Sequence, residues 1–221
     1  MRSNNILIVD LDGTLTKGGE DLIESRIKAS LLSIKSCGWT IMLATGRDRK
    51  YLMGRADLKG LFAAWVSEAG LSIYLPDTGV YRCFADEAWS MMVKKFLTLH
   101  FVEEKENTIA FRLEYLDIVR AETMRLGINA VFKDNKGMVI LLPEGVDKAF
   151  GVKEALKLLN VDGFLVAIGD SNVDLELFDI ADFKAAVANA EKALKERADY
   201  VAEHENGDGV VEIIQALLSR N

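Results

Sequence analysis

Residues Ile6-Leu7-Ile8-Val9 run without interruption into Asp10-Leu11-Asp12-Gly13-Thr14-Leu15, and no other stretch limits the fold so tightly. A short continuous apolar run has no polar face to offer water. It reads as a strand buried on both sides, as the strands of parallel sheets are. The acids then lie at its carboxyl end, where open α/β sheets bind their ligands. Two carboxylates one residue apart point to opposite faces of an extended strand. Both can serve one site only if the chain leaves strand geometry near Asp12, and Gly13 permits that. Alone, the pair has three readings: a solvated strand end, a hard-cation site completed by a substrate phosphate, or an aspartate nucleophile that accepts a phosphoryl group.

The rest of the chain alternates. Ile23, Ile27, Leu31 and Ile34 share one helical face, which predicts a helix over 21–37 stopped at Gly38. Residues 39–44 read as a second buried strand ending in Thr45-Gly46-Arg47, and a polar helix follows from Asp48. Residues 63–66 read as a third strand, ending in Ser67-Glu68-Ala69-Gly70. Strand, helix, strand, helix, strand implies parallel pairing with right-handed crossovers. Near Gly79 the pattern changes. Short strands are expected at 81–84 and 108–115, with helices over 86–99 and 117–126. A hairpin is expected at 130–133 and 138–142, around Asp134-Asn135-Lys136-Gly137. The parallel pattern then resumes with a helix over 147–159 and a buried strand over 164–168 running into Gly169-Asp170. Further strands are expected at 183–188 and 199–201. A last helix is expected to be capped by Asp208, with Val211, Ile214 and Leu218 inward. The fold class is α/β: a doubly wound parallel-sheet core over 1–78 and 148–221, with a small α+β unit over 79–147 inserted as a lid on the carboxyl ends of the strands.

Composition narrows the partners. The chain has 221 residues, half of them apolar, with a net charge of −7. That balance disfavours nucleic acid and anionic membrane surfaces, but it leaves room for a locally positive phosphate pocket. Cys37 and Cys83 are isolated, which fits a reducing, cytoplasmic setting. His100 and His204 are the only histidines, too few for a zinc site. No run approaches the roughly 18 apolar residues of a membrane span. The expected partner is therefore a small phosphorylated metabolite, with a second copy of the chain as the one macromolecular partner entertained.

Four strand or helix ends now carry polar groups that could meet in one crevice: Asp10 with Asp12, Thr45-Gly46, Lys148, and Asp170 with Asp174. Asp170 and Asp174 are four apart and would share a face if a helix began at once. Moving a phosphoryl group from an ester to a carboxylate needs these residue types. A cation held by acids must screen two anions. A hydroxyl, an N–H and an ammonium must stabilise the charge on the equatorial oxygens. A carboxyl beside the nucleophile can protonate the leaving oxygen and later activate water.

The same segments resemble the four motifs of the haloacid dehalogenase superfamily of phosphatases. Asp10-Leu11-Asp12-Gly13-Thr14 is similar to the first, Thr45-Gly46 to the second, Asp147-Lys148 to the third and Gly169-Asp170-Ser171-Asn172-Val173-Asp174 to the fourth. An insert between the second and third motifs is the C2 cap arrangement of Cof-like members. The small insert and overall length most resemble the archaeal-type phosphoglycolate phosphatases. The resemblance implies Asp10 as nucleophile and Mg²⁺ ligand. Asp12 would be the acid/base and would also give its main-chain carbonyl to the metal. Thr45, Gly46 and Lys148 would hold the phosphoryl group, with Arg47 contacting substrate or cap, and Asp170 and Asp174 would complete the metal site. Two positions depart from the pattern: Val173 stands where the fourth motif usually has Asn, and Ala69 stands where the third strand of C2 members often carries Asn. For phosphoglycolate the cap should supply a cation for the substrate carboxylate; Arg112, Lys133 and Lys136 are the candidates, though each reads more readily as a surface charge.

Rival readings are a receiver-like module that accepts a phosphoryl group, a non-catalytic binding module, and, within the superfamily, a sugar-phosphate phosphatase or a phosphomutase. A receiver needs about half this length and no Gly-Asp-x-x-x-Asp element. A nucleotide dehydrogenase is disfavoured, because no Gly-x-Gly-x-x-Gly follows the first strand.

Overall fold

The computed structural model describes residues 4–19 and 21–219. Strand β1 (Asn4–Val9) lies in the middle of an eight-stranded sheet, flanked in parallel by β2 (Thr40–Ala44) and β10 (Gly163–Gly169). Ile6, Leu7, Ile8 and Val9 are fully buried, as a central parallel strand requires. The remaining strands are β3 (Ala64–Ser67), β4 (Ser72–Leu75), β5 (Val80–Cys83), β11 (Phe183–Ala186) and β12 (Tyr200–Val201). Their order is β12-β11-β10-β1-β2-β3-β4-β5. Register decides where the site forms. Val9 stands opposite both Leu43 and Ile168. The residues that follow these three therefore emerge level with one another.

Helices cover both faces. Helix α1 (Ser25–Ser36) packs on α8 (Asn206–Leu218), while α5 (Lys148–Leu159) packs against β3 and β4. Helices α2 (Arg49–Met53), α6 (Leu175–Phe178) and α7 (Lys192–Arg197) are short connectors. None of the described helices is long and apolar enough to cross a membrane.

The insert has its own core. Strands β6 (Val102–Glu104), β7 (Ile109–Arg112), β8 (Ala130–Asn135) and β9 (Met138–Pro143) form an antiparallel sheet in the order β6-β7-β9-β8. Helices α3 (Glu87–Phe96) and α4 (Leu116–Arg125) belong to the same unit. Trp89, Phe96 and Val119 from the helices meet Ile109, Phe111, Val139 and Leu141 from the strands. These strand positions alternate, so they define one face of the small sheet. The hairpin turns on Lys136 (φ 53°) and Gly137 (φ 89°), two successive left-handed residues that match the twist of the flanking strands.

Several expectations need correction. The strand expected at 81–84 as part of the insert pairs instead with β4 at the edge of the large sheet. That edge is antiparallel, so the sheet is mixed. The first helix begins at Ser25, and Ile23 is buried in the loop before it, its N–H held by Asp57 at 2.9 Å. The segment at 108–115 is a four-residue strand that ends in a tight 3₁₀ turn. Asp208 is not the cap of α8: Glu205 holds that position, and Asp208 lies in the first turn.

Candidate active site

The level strand ends bring Asp10, Thr45 and Asp170 to one place, and the N-terminus of α5 adds Lys148. Asp10 is 5 % exposed, Lys148 3 %, and Asp170 and Asp174 are fully buried. The Lys148 ammonium bridges two acids, 2.7 Å from Asp10 Oδ1 and 2.6 Å from Asp174 Oδ1. Burial opposes the charge of Lys148, but the two carboxylates outweigh it and hold the ammonium well above its usual range. Burial likewise pushes the Asp10 carboxyl up. Lys148 pulls it back, and the neighbouring Asp174 and Asp170 push it further up. Asp170 is raised mainly by burial.

Asp10, Asp170 and Asp174 can each offer a carboxylate oxygen within 4.8 Å of the others. Lys148 touches two of the three, and Lys136 reaches the third from the hairpin tip, 2.6 Å from Asp170 Oδ2. A buried, all-oxygen donor set with more carboxylates than inner ammonium groups suits a hard divalent cation such as Mg²⁺. Gly13 explains how the first loop reaches this cluster. Its φ is +87°, and a Cβ there would lie 2.3 Å from Asp170 Oδ2. Thr14 then donates to Asp170 Oδ1 at 3.1 Å, and Asn189 Nδ2 donates to the Gly13 carbonyl at 2.7 Å.

Asp170 and Asp174 do not share a helix face. A 3₁₀ turn (Asn172–Asp174) intervenes, and Asp174 Oδ2 folds back to accept from the N–H groups of Asp170 and Ser171, each at 3.1 Å. Asp174 therefore shapes the loop, steadies Lys148 and belongs to the acid cluster. Val173 lines the cavity, and Asn172 does not replace the family's amide there because it is exposed.

The carboxylate of Asp12 lies outside the acid cluster. Arg47 grips it with both arms of its fork, Nε to Oδ2 at 2.8 Å and Nη2 to Oδ1 at 2.9 Å. A bidentate pair of this kind fixes orientation as well as charge. Arg47 also lies over the Tyr51 ring, and Tyr51 donates to the Gly19 carbonyl at 2.8 Å. Arg47 thus lines the cavity with its guanidinium on Asp12. Thr45, almost fully buried, accepts the Arg47 N–H at 3.2 Å, and Gly46 borders the same cavity.

That cavity, about 300 Å³, lies between the strand ends and the insert. The insert contributes Lys133, whose ammonium is 2.5 Å from Glu176. Glu176 also accepts the backbone N–H of Lys148 at 2.9 Å. Of the expected cap cations, Lys133 lines the cavity and Lys136 touches Asp170, whereas Arg112 is exposed.

Two groups that escaped the sequence reading fasten the insert to the core. Glu68 is fully buried and accepts from Asn107 N at 2.7 Å, Asn107 Nδ2 at 2.6 Å and Ser72 Oγ at 2.9 Å. Beside it, Arg49 pairs with Glu106. Burial raises the Glu68 carboxyl, opposed by the Asn107 donors. The same turn braces the loop over 45–47: Glu68 N–H donates to the Arg47 carbonyl and Ala69 N–H to the Thr45 carbonyl, both at 2.9 Å. This bracing needs left-handed backbone at Glu68 (φ 50°) and Ala69 (φ 52°), a conformation Asn adopts more readily than Ala.

A family model for haloacid dehalogenase-like hydrolases matches residues 7–82 and 85–214. The chain belongs to that family. It is 33 % identical to phosphoglycolate phosphatase 2 of Saccharolobus solfataricus, over 99 % of this chain and 95 % of that protein. It is 30 % identical to the phosphoglycolate phosphatase of Sulfurisphaera tokodaii, over 97 % and 94 %. Among solved structures, Thermoplasma acidophilum 0175 superposes with a TM-score of 0.78 at 24 % identity, covering 97 % of this chain and 98 % of that one. The haloacid dehalogenase phosphatase BT1666 of Bacteroides thetaiotaomicron gives 0.76 at 17 %, covering 97 % and 95 %. At such identities the two structures speak for the fold alone. The family and the curated relatives make this chain a phosphatase.

Proposed function

We propose that this haloacid dehalogenase-like phosphatase hydrolyses 2-phosphoglycolate, with Mg²⁺, through an aspartyl phosphate on Asp10. The observation that carries the reading is the Lys148 ammonium held between Asp10 and Asp174 on the floor of a small, roofed cavity. Asp10 attacks phosphorus as the ester P–O bond breaks, and the electron pair leaves on the glycolate oxygen. That oxygen takes a proton from the Asp12 carboxyl, which carries one once an arm of the Arg47 fork has released it. Lys148, the Thr45 hydroxyl and the Gly46 N–H stabilise the charge on the equatorial oxygens. Asp12, oriented by Arg47, then takes a proton from water. The water attacks phosphorus, the Asp10–phosphorus bond breaks, and inorganic phosphate leaves with Asp10 restored. Asp10, Asp170 and Asp174, with the main-chain carbonyl of Asp12, would hold the Mg²⁺, which screens the repulsion between carboxylate and phosphate.

The insert, read as a C2-type cap, closes the cavity and favours a small ester over a macromolecule. Core and cap divide the labour: the core handles the phosphoryl group and the cap handles what is attached to it. The test is phosphate release, with and without Mg²⁺, from phosphoglycolate, hexose phosphates, nucleotides and an aryl phosphate. A Mg²⁺-dependent preference for phosphoglycolate is expected. Asp10→Asn should abolish turnover in a folded protein, and retained turnover would overturn the mechanism. Equal rates across the panel would overturn the substrate.

A further inference from the structure

The roof of the cavity is the face of the small sheet turned away from α3 and α4. Its register sets one row directly across four strands. Glu103 is opposite Ala110, Ala110 opposite Ile140, and Ile140 opposite Lys133. Directly opposed residues share a face, and all four line the cavity. At the centre of the row stands Ala110, the smallest side chain of the four. The roof is thus open at its middle and charged at its edges. Lys105, two residues beyond Glu103 and so on the same face, adds a second cation at the β6 side.

Four cations line this space and a fifth, Lys136, sits on the neighbouring Asp170; all but Lys105 already have structural duties. Lys148 bridges Asp10 and Asp174, and Arg47 grips Asp12. Lys136 is on Asp170, and Lys133 is on Glu176, which also holds the start of α5. Lys105 differs. Its partner is Glu103, on the same strand edge, and the Glu103 side chain is 53 % exposed while that of Lys105 is only 13 % exposed. An exposed carboxylate gives up an ion pair cheaply, because water takes over its solvation. A covered ammonium does not readily leave its place. The backbone at Lys105 is also anchored. Its N–H donates to the Thr108 carbonyl at 3.1 Å, and the next two residues, Glu106 and Asn107, fasten the insert to Arg49 and Glu68. Lys105 is therefore a covered cation on a backbone anchored to the core, whose present partner can swing out to solvent.

We infer that Lys105 is the specificity-determining residue of this phosphatase: it binds the carboxylate of the substrate's leaving group, with Glu103 as the placeholder that the carboxylate displaces. The inference rests on the phosphoglycolate reading, and the experiment separates the two. The kcat/KM values for 2-phosphoglycolate and for ethyl phosphate, of similar size without the carboxylate, are measured for the parent and for Lys105→Met, Lys105→Arg and Glu103→Gln. A parent with no preference for phosphoglycolate refutes the substrate reading, and the inference falls with it. Given a preference, Lys105→Met should cut the phosphoglycolate-to-ethyl phosphate ratio by about tenfold to a hundredfold, the worth of a hydrogen bond between charged groups. Lys105→Arg should restore much of it, and Glu103→Gln should lower KM for phosphoglycolate and raise the ratio. A ratio unchanged in Lys105→Met, or a Glu103→Gln enzyme that binds phosphoglycolate no better, overturns the assignment. The Glu103 variant keeps the test decisive if the Lys105 variants fold poorly.

Discussion

Replacing Lys148 with Met tests the electrostatic account of the site most directly. Met keeps most of the side chain's volume, so the change is one of charge rather than of packing. The lost ammonium is 3 % exposed and lies 2.7 Å and 2.6 Å from two buried carboxylates. Removing one partner of a buried pair costs about 3–5 kcal/mol, because the remaining charge is left uncompensated. For a chain of this size that is roughly 6–20 °C in melting temperature. The deficit should depend on pH, with a definite sign. Burial already raises the Asp10 carboxyl, and losing Lys148 raises it further. An acid with a raised folded-state pKa binds its proton more tightly in the folded chain than in the unfolded one. It therefore detracts from stability as pH climbs above the ordinary carboxylate value of about 4. The deficit should be small in acid. It should grow by up to about 1.4 kcal/mol per pH unit over the interval in which the variant keeps Asp10 protonated and the parent does not. Denaturant and thermal unfolding in a chelator, from about pH 5 to 8, measure it directly. A loss below about 1 kcal/mol that stays flat with pH would refute the reasoning, since a buried, bridging ammonium cannot be removed at so little cost.

Two further outcomes follow from the same geometry. Mg²⁺ binding should release protons, because carboxyls raised by burial must ionise to bind it. Affinity should therefore strengthen with pH, and the calorimetric heat should differ between buffers of different ionisation enthalpy; a buffer-independent heat would count against it. Glu68→Gln should destabilise by about 1–3 kcal/mol, since an NH₂ group would then face the donors of Asn107 and Ser72. It should also speed hydrogen exchange around residues 106–107, and unchanged exchange there would remove Glu68 from the cap fastening.

Much of the core was legible because its signals are local. A buried parallel strand is an uninterrupted apolar run, as at Ile6–Val9, and the residues that follow it are placed by register alone. Asp10, Thr45 and Asp170 could be brought to one crevice without any contact being known. What was not legible had weaker or longer-range causes. Strand β6 is Val-Glu-Glu and exists because β7 pairs with it, so no periodicity marks it. The strand at 81–84 reads as part of the insert because antiparallel pairing at a sheet edge leaves no trace in the edge strand itself. Asp174 meets its partners through a capping turn rather than along a helix, a choice between two tight geometries that spacing does not decide.

The asymmetry between the two halves of the site has a physical origin. The residues of the acid cluster and its neighbours follow strand ends at fixed offsets, and each motif carries its own turn chemistry, as Gly13 does against Asp170. The roof side of the cavity is instead one face of a four-stranded sheet. Its residues recur at every second position and are interleaved with the apolar ones that bind the helices. Glu103, Lys105, Ala110 and Lys133 become neighbours only when four strands are in register, and that register is a matter of long-range strand pairing and of one hairpin turn. A lysine at such a position looks the same in sequence as any solvated lysine. Its meaning comes from being covered while its partner is not, which belongs to the folded surface. For this reason the four short motifs can be read from sequence, while the proposed choice of ester rests on roof contacts that only the fold brings together.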